Sequence, residues 1–432
     1  MTSNTSQRSG YQVHRYVVWS ILALIYLIVF FHRMSVGVIR EELMAEFQMT
    51  SGSFAALGSI YFYVYMFMQI PAGILADTLG ARRTVMSGSI LAGVGSVVFG
   101  LATGVPAAYA GRFLVGMGVS VVFIPILTLQ SRWFREEEFG SMTGLTSFVG
   151  NLGSVLAQTP LAVLVGLFSW RATFLGIGLF SILLGGLCFL IVRDKPEDAG
   201  YPPVAKIPPR KERPKLAKAF GEVLKNRHSW APSVLFFTIF GAQVAFTGTF
   251  GQQYLMGIYG FDKVEASKYT LICALSLAIG SVLAGKISDV ISRRKPVAVG
   301  AAAANLAGWF LLAGLEGKRL PAGVLAMCMV LIGAGCSAVV LCFSIVKEVN
   351  APEYVGISTS VVNIAGFAGA AILPVMVGNA FDRFSALAFD PAQCSQAFRA
   401  CLLCAAVAMA VAFFTKETYC HNLKALPFQR ES

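Results

Sequence analysis

Apolar runs of roughly 20 residues recur along nearly the whole of this 432-residue chain, each long enough to cross about 30 Å of hydrocarbon as a helix. Twelve spans are predicted, at 16–39, 53–76, 84–103, 106–130, 139–166 and 171–192, then 231–258, 267–290, 297–315, 321–346, 354–381 and 395–415. A closed β-barrel would show segments of about ten residues alternating apolar and polar. Stretches such as Ile21 to Phe31 or Ala400 to Phe414 do not alternate. In lipid the backbone has no water to bond, so helix is the remaining solution. Charge content agrees, at 13% where a soluble chain carries about 25%. The expected fold class is an all-α membrane protein, with the bilayer as its first partner.

A net charge of +12 raises the question of nucleic acid, but the basic residues form no patch interleaved with aromatics. They fall in connections on one side. Arg8 and Arg15 precede the first span, Arg82 and Arg83 follow the second, Arg132 and Arg135 the fourth, and Arg293, Arg294 and Lys295 the eighth. Ten more, from Arg193 to Arg227, lie between spans six and seven. By the positive-inside rule that side is the cytoplasm, so both termini are expected there and the host is a bacterial inner membrane. The first span is too long for a signal-peptide core and lacks a small-residue cleavage site after it, so it is expected to stay as an anchor. Most of the nine cysteines lie inside spans, which excludes a disulfide framework, and the Cys401-x-x-Cys404 pair lacks the polar neighbours of a redox or metal site.

Residues 193–230, rich in Pro, Lys and Arg, cannot cross a membrane and divide the chain into six-span halves at 1–192 and 231–432. The halves resemble each other. Gly73 to Arg83 aligns with Gly285 to Lys295, matching glycine, aspartate and basic residues. Gly116-Met117-Gly118-Val119-Ser120 parallels Gly333-Ala334-Gly335-Cys336-Ser337, and Asn151 has a counterpart in Asn363. Two repeated bundles joined by a long linker are the mark of a carrier that rocks one half against the other.

The Gly73-x-x-x-Asp77-x-x-Gly80-x-Arg82-Arg83 stretch resembles the signature loop of the major facilitator superfamily. That resemblance implies twelve transmembrane helices in two pseudo-symmetric six-helix bundles, acting by alternating access. Gly73 permits close helix approach, and Asp77 can pair with cations and with a helix N-terminus. Gly73, Asp77, Arg82, Arg83, Asp289, Arg293 and Arg294 are therefore candidates for a cytoplasmic gate; a merely basic topogenic turn is the other reading.

A narrower resemblance covers most of the chain. Tyr26 to Ser35 with Phe31-His32-Arg33, Arg132-Trp133-Phe134 with Glu136 to Gly140, Trp170 to Phe174, and Arg193-Asp194-Lys195-Pro196 through Pro203 look like the organophosphate:phosphate antiporters. Lys347 to Asn350 and Gly356 continue the likeness, and the anion:cation symporters are close relatives. In both families an arginine at the place of Arg33 binds the anionic group of the substrate. An arginine at membrane depth costs about 2.5–3.5 kcal/mol on insertion scales, so it is expected to face a wet cavity or a partner. Snorkelling toward the outer face is the alternative, since Arg33 lies in the outer half of its span.

The chain also departs from the pattern. Phosphate-ester antiporters carry a second arginine in the seventh helix, yet 231–260 holds no Arg or Lys; Gln243, Gln252, Gln253 and Tyr254 are among its polar groups. A doubly charged phosphate on one guanidinium leaves charge uncompensated, so a monocarboxylate-like anion fits better. The symporters carry acidic residues where this chain has His32 and Val119. His32 is a candidate coupling group by its near-neutral titration, against the commoner role of a core histidine. Arg112 resembles an arginine associated with proton-coupled members, against a role bonding helix-end carbonyls. Tyr61, Tyr65, Asn151, Gln243 and Asn363 are cavity candidates whose default role is helix-to-helix bonding.

No nucleotide loop, metal-ligand cluster or nucleophile–base pair occurs, so an enzyme or ATP-driven pump is disfavoured and no cofactor is expected. The expected function is a monomeric secondary transporter of a small organic anion, coupled to a proton or a counter-anion, by symport or antiport. A non-transporting sensor, or an exporter of drugs or metal chelates, is the alternative.

Overall fold

In the computed structural model the described residues are 2–202, 216–314, 319–384 and 396–424, and no strand occurs among them. Side chains at 2–9, 73–74 and 76–78 are among those outside the description. So are the linker residues Lys206, Arg210, Lys211, Arg213 and Lys215.

The first helices are α1 (Thr2–Met34), α2 (Arg40–Phe47), α3 (Ser51–Thr78), α4 (Ala81–Gly100), α5 (Val105–Ser120) and α6 (Phe123–Trp133). They are followed by α7 (Glu136–Leu156), α8 (Thr159–Phe168), α9 (Trp170–Ile191), α10 (Leu216–Lys225), α11 (Trp230–Ala245) and α12 (Gly251–Tyr259). The remainder are α13 (Lys263–Val290), α14 (Lys295–Trp309), α15 (Ala322–Gly335), α16 (Ala338–Val349), α17 (Val355–Phe384) and α18 (Arg399–Phe414).

Nine helical stretches among the described residues are long and apolar enough to cross a membrane, and α7 with α8, bent by 47°, makes a tenth. The 28-residue α3 and the apolar 16-residue α18 complete the twelve, so each apolar run of the sequence falls on one helix or one broken helix.

The breaks follow local chemistry. Pro160 opens α8, where it removes an amide that a continuous helix would need, and the α7–α8 bend sits there. A 3₁₀ turn, Ser35–Ile39, separates α1 from α2, and a π segment, Phe246–Phe250, separates α11 from α12. Helix ends carry ordinary caps: Asp262 accepts from the Glu265 amide at 2.7 Å to start α13, and Gly260, at φ +71°, ends α12.

The chain forms two compact units, Met1–Glu42 with Phe67–Arg210, and Leu43–Met66 with Lys211–Ser432. The aligned glycines Gly118 and Gly335 do the same job in each. A Cβ on Gly118 would lie 2.4 Å from the Ala92 amide of α4, and one on Gly335 would lie 2.5 Å from the Asn305 amide of α14. Small residues thus let backbones touch, the usual way helices associate without a hydrophobic force between them.

Candidate functional site

In the first unit the end of α1 gathers three of the candidates. His32 and Arg33 occupy its last turn, where carbonyls without helical partners favour a cation. The Arg112 guanidinium, 1% exposed on α5, donates to the His32 carbonyl at 3.1 Å. The Ser35 hydroxyl donates to the same oxygen at 3.4 Å. The His32 ring is fully buried, and neither ring nitrogen has a hydrogen-bond partner among the described residues. Arg33 is half-buried, its guanidinium carbon 4.3 Å from the Phe30 ring centroid. A buried guanidinium thus bonds the last turn of α1, in which a buried imidazole and a half-buried guanidinium precede the helix break.

Asn151 lies on α7, half-buried, and donates to the Ser147 carbonyl at 3.0 Å, a helix-internal bond. Close packing brings α7 to α1: a Cβ on Gly153 would fall 2.0 Å from the Leu27 carbonyl oxygen.

In the second unit Tyr61 and Tyr65 are both buried, with ring centroids 6.2 Å apart, and Tyr65 stacks on Phe367 of α17 at 4.1 Å. Asn363, half-buried, lies one helical turn before Phe367. Gln243 is the hub of a separate buried network. Its amide donates to the Thr247 hydroxyl at 3.1 Å, while its carbonyl accepts from the Cys336 thiol at 3.1 Å and the Cys273 thiol at 3.7 Å. Asn305 in turn donates to the Cys336 sulfur at 3.6 Å. This network links α11, α13, α14 and the residue that ends α15, next to the π segment.

The candidate gate residues lie at two equivalent turns. Before α4, Gly80 adopts φ +86°, and the Arg82 amide donates to the Asp194 carboxylate at 3.0 Å. Arg132 approaches Asp194 to 3.7 Å, and the Arg82 guanidinium bonds the Phe189 carbonyl. Arg83 is exposed, while the Gly73 and Asp77 side-chain positions lie outside the described residues. Before α14, the aligned Ser292 adopts φ +52°, and the amides of Arg294 and Lys295 donate to Glu417 at 2.9 and 3.1 Å. Arg294 pairs with Asp289 at 2.5 Å and Glu348 at 2.9 Å, and Arg293 lies over Tyr419 at 5.9 Å.

Burial acts to raise the Glu417 carboxyl, yet the backbone amides of Arg294, Tyr419, Thr418 and Lys295 hold it below the usual carboxylate range. Desolvation likewise works against the Arg294 charge, and the carboxylates of Glu348 and Asp289 more than offset it. Asp194 and Glu417, which bond the amides at these two turns, are not among the candidate site residues that the sequence singles out. Their signal was position: each is an acidic residue a few places beyond the last span of its half.

Among the described residues no group of three His, Cys, Asp or Glu side chains is placed to hold a metal ion.

The sequence matches the family model described as Major Facilitator Superfamily over residues 22–374. One relative, "Probable sulfoacetate transporter SauU" of Cupriavidus necator, is 24% identical over 65% of this chain and 66% of its own length, just under two thirds. "Membrane sensor protein UhpC" of Salmonella typhimurium is 26% identical over 61% of this chain and 62% of its own. In fold, the chain resembles a bacterial homolog of the human lysosomal transporter Spinster, with a TM-score of 0.72 at 18% identity, covering 93% of this chain and 97% of that one.

Proposed function

This chain belongs to the Major Facilitator Superfamily, and from that premise we propose that it is a secondary active carrier that imports a small organic anion by alternating access. The observation that carries the reading is the joined group at the end of α1, where Arg112 bonds the His32 carbonyl and Arg33 follows directly. In this reading Arg33 binds the anion, Arg112 fixes the helix end that presents it, and His32 is the proton-coupling group. Asn151, Tyr61, Tyr65, Gln243 and Asn363 are secondary cavity candidates, with Gln243 acting through its thiol network.

A singly charged, monocarboxylate-like anion is favoured over a phosphate ester, because the stretch from α11 to α12 contains no Arg or Lys to hold a second charge. The relative named for sulfoacetate supports an organic anion as the substrate class. The carrier works as a monomer in a bacterial inner membrane with both termini cytoplasmic, coupled to a proton or a counter-anion. The Gly80 and Ser292 turns, with their acidic caps, form the cytoplasmic gate.

Flux into proteoliposomes tests the proposal, using radiolabelled lactate, sulfoacetate and glucose 6-phosphate to compare a singly charged carboxylate with a doubly charged sulfonate-carboxylate and a phosphate ester. Concentrative uptake of a carboxylate supports it. The relative named as a membrane sensor favours a second reading, in which the same site binds ligand without moving it. Ligand-dependent thermal stabilisation with no flux of any probe would establish that reading instead.

A further inference from the structure

We infer that the linker-side end of the second unit is a binding site for an anionic phospholipid, with Arg227, Lys416 and Lys424 holding its headgroup phosphate. The inference asks only that the chain span a membrane, so it stands for a carrier and a sensor alike. Asn350, 1% exposed at the end of α16, gathers the site. Its side-chain carbonyl accepts from Asn226 at 2.9 Å and its amide donates to the Ser229 hydroxyl at 2.8 Å, which fixes the 3₁₀ turn Arg227–Ser229 ahead of α11. Its backbone carbonyl accepts from the Asn422 side chain at 3.0 Å, and Asn422 in turn accepts from the Lys424 amide at 2.8 Å. One buried asparagine therefore draws the start of α11 and the segment that follows α18 onto the same end of the unit.

The cations brought together there have no carboxylate of their own. Arg227, Lys416 and Lys424 are exposed, and the charges of all three act on the His228 imidazole. Among the described residues none of the three is in a salt bridge. The acids on the same segments are engaged elsewhere: Glu348 pairs with Arg294 at 2.9 Å, and Glu417 accepts the Arg294 and Lys295 amides. Topology needs cations on one side of the membrane, but it does not need them crowded around one imidazole. Like charges held this close repel, so an anion shared among them stabilises the arrangement.

Two exposed rings favour a lipid as the source of that anion. Helix α11 packs against α18, and their linker-side ends carry Trp230, 54% exposed, and Phe414, 79% exposed. Trp230 follows Arg227 by three residues, and Phe414 precedes Lys416 by two. The Trp230 indole N–H is fixed on the Leu224 carbonyl at 2.9 Å. Rings beside cations at a helix end match the layering of a leaflet, with acyl chains against the rings and phosphate against the cations. A soluble anion would leave both rings uncovered.

The test follows the melting temperature of the whole chain in detergent, titrated with dioleoyl phosphatidylglycerol, with dioleoyl phosphatidylcholine and with inorganic phosphate. Phosphatidylglycerol is expected to raise it saturably, and the other two to leave it unchanged. Lys416→Gln with Lys424→Gln is expected to weaken the apparent phosphatidylglycerol affinity about 25-fold, at roughly fivefold per cation. Lys268→Gln with Arg319→Gln removes the same charge from exposed positions on the opposite side of the unit and is expected to keep the affinity. Equal stabilisation by phosphatidylcholine, or equal weakening in the two paired variants, overturns the site. Stabilisation by inorganic phosphate that matches phosphatidylglycerol points to a free anion and overturns the lipid assignment.

Discussion

Arg112 reaches from α5 to the carbonyl of His32, 3.1 Å away, and so ties a second helix to the turn that carries Arg33. The bond satisfies an acceptor at the end of α1, where the helix passes into its 3₁₀ turn. It also sets a buried positive charge one residue away from the cation proposed to meet substrate. Position of the helix end and electrostatics of the site thus depend on one side chain.

Arg112→Ala is expected to lower stability by about 1–3 kcal/mol, because a buried carbonyl loses its charged donor. Arg112→Lys is expected to retain part of that stability and little of the uptake, since an ammonium lacks the fork that holds the turn. Thermal unfolding in detergent, read beside flux, checks both.

Among the described residues His32 has no hydrogen bond on either ring nitrogen, so its replacement disrupts no contact of that kind there. Under the coupling role, His32→Gln keeps equilibrium binding of the anion and flattens the dependence of uptake on pH. Uptake measured against pH in wild type and variant decides the point.

The repeat makes a prediction about strain. Gly80, at φ +86° and ψ 153°, occupies a region nearly closed to residues with a Cβ, whereas its counterpart Ser292 holds φ +52° with a side chain. Gly80→Ala is expected to destabilise by about 1–3 kcal/mol. Ser292→Gly is expected to be neutral or slightly stabilising, because glycine reaches positive φ without steric cost. Unfolding midpoints of the two single variants give the comparison.

Glu417 caps α14 through its bonds to the Arg294 and Lys295 amides. Its folded carboxyl lies below the usual range, so its contribution is present above the ordinary glutamate value of about 4.3 and disappears as pH falls through the lower folded value. Glu417→Gln is expected to cost about 0.5–2 kcal/mol at neutral pH, the size of a lost cap. The gap between wild type and variant should narrow on acidification, measured as unfolding midpoint against pH.

Much of this architecture is written in local pattern. Runs of apolar residues mark helices because lipid leaves the backbone no other partner, and each predicted span lies on a helix or a broken pair. The 73–83 and 285–295 stretches match in sequence, and each carries a residue of positive φ, Gly80 and Ser292. What escaped the sequence depends on residues far apart in the chain. Nothing near Arg82 indicates that Asp194 will accept from its amide, and nothing near Gln243 indicates that Cys273 and Cys336 will share its carbonyl. The bonds from Ser51 and Gly52 to Asp382 cross more than three hundred residues, so they follow from packing alone.

Uptake by Arg33→Ala in proteoliposomes, with membrane abundance and melting temperature measured on the same preparation, bears most directly on anion carriage. The account predicts that transport of the anion carried by the wild type is lost while abundance and folding are kept. Transport at the wild-type rate in that variant would contradict it.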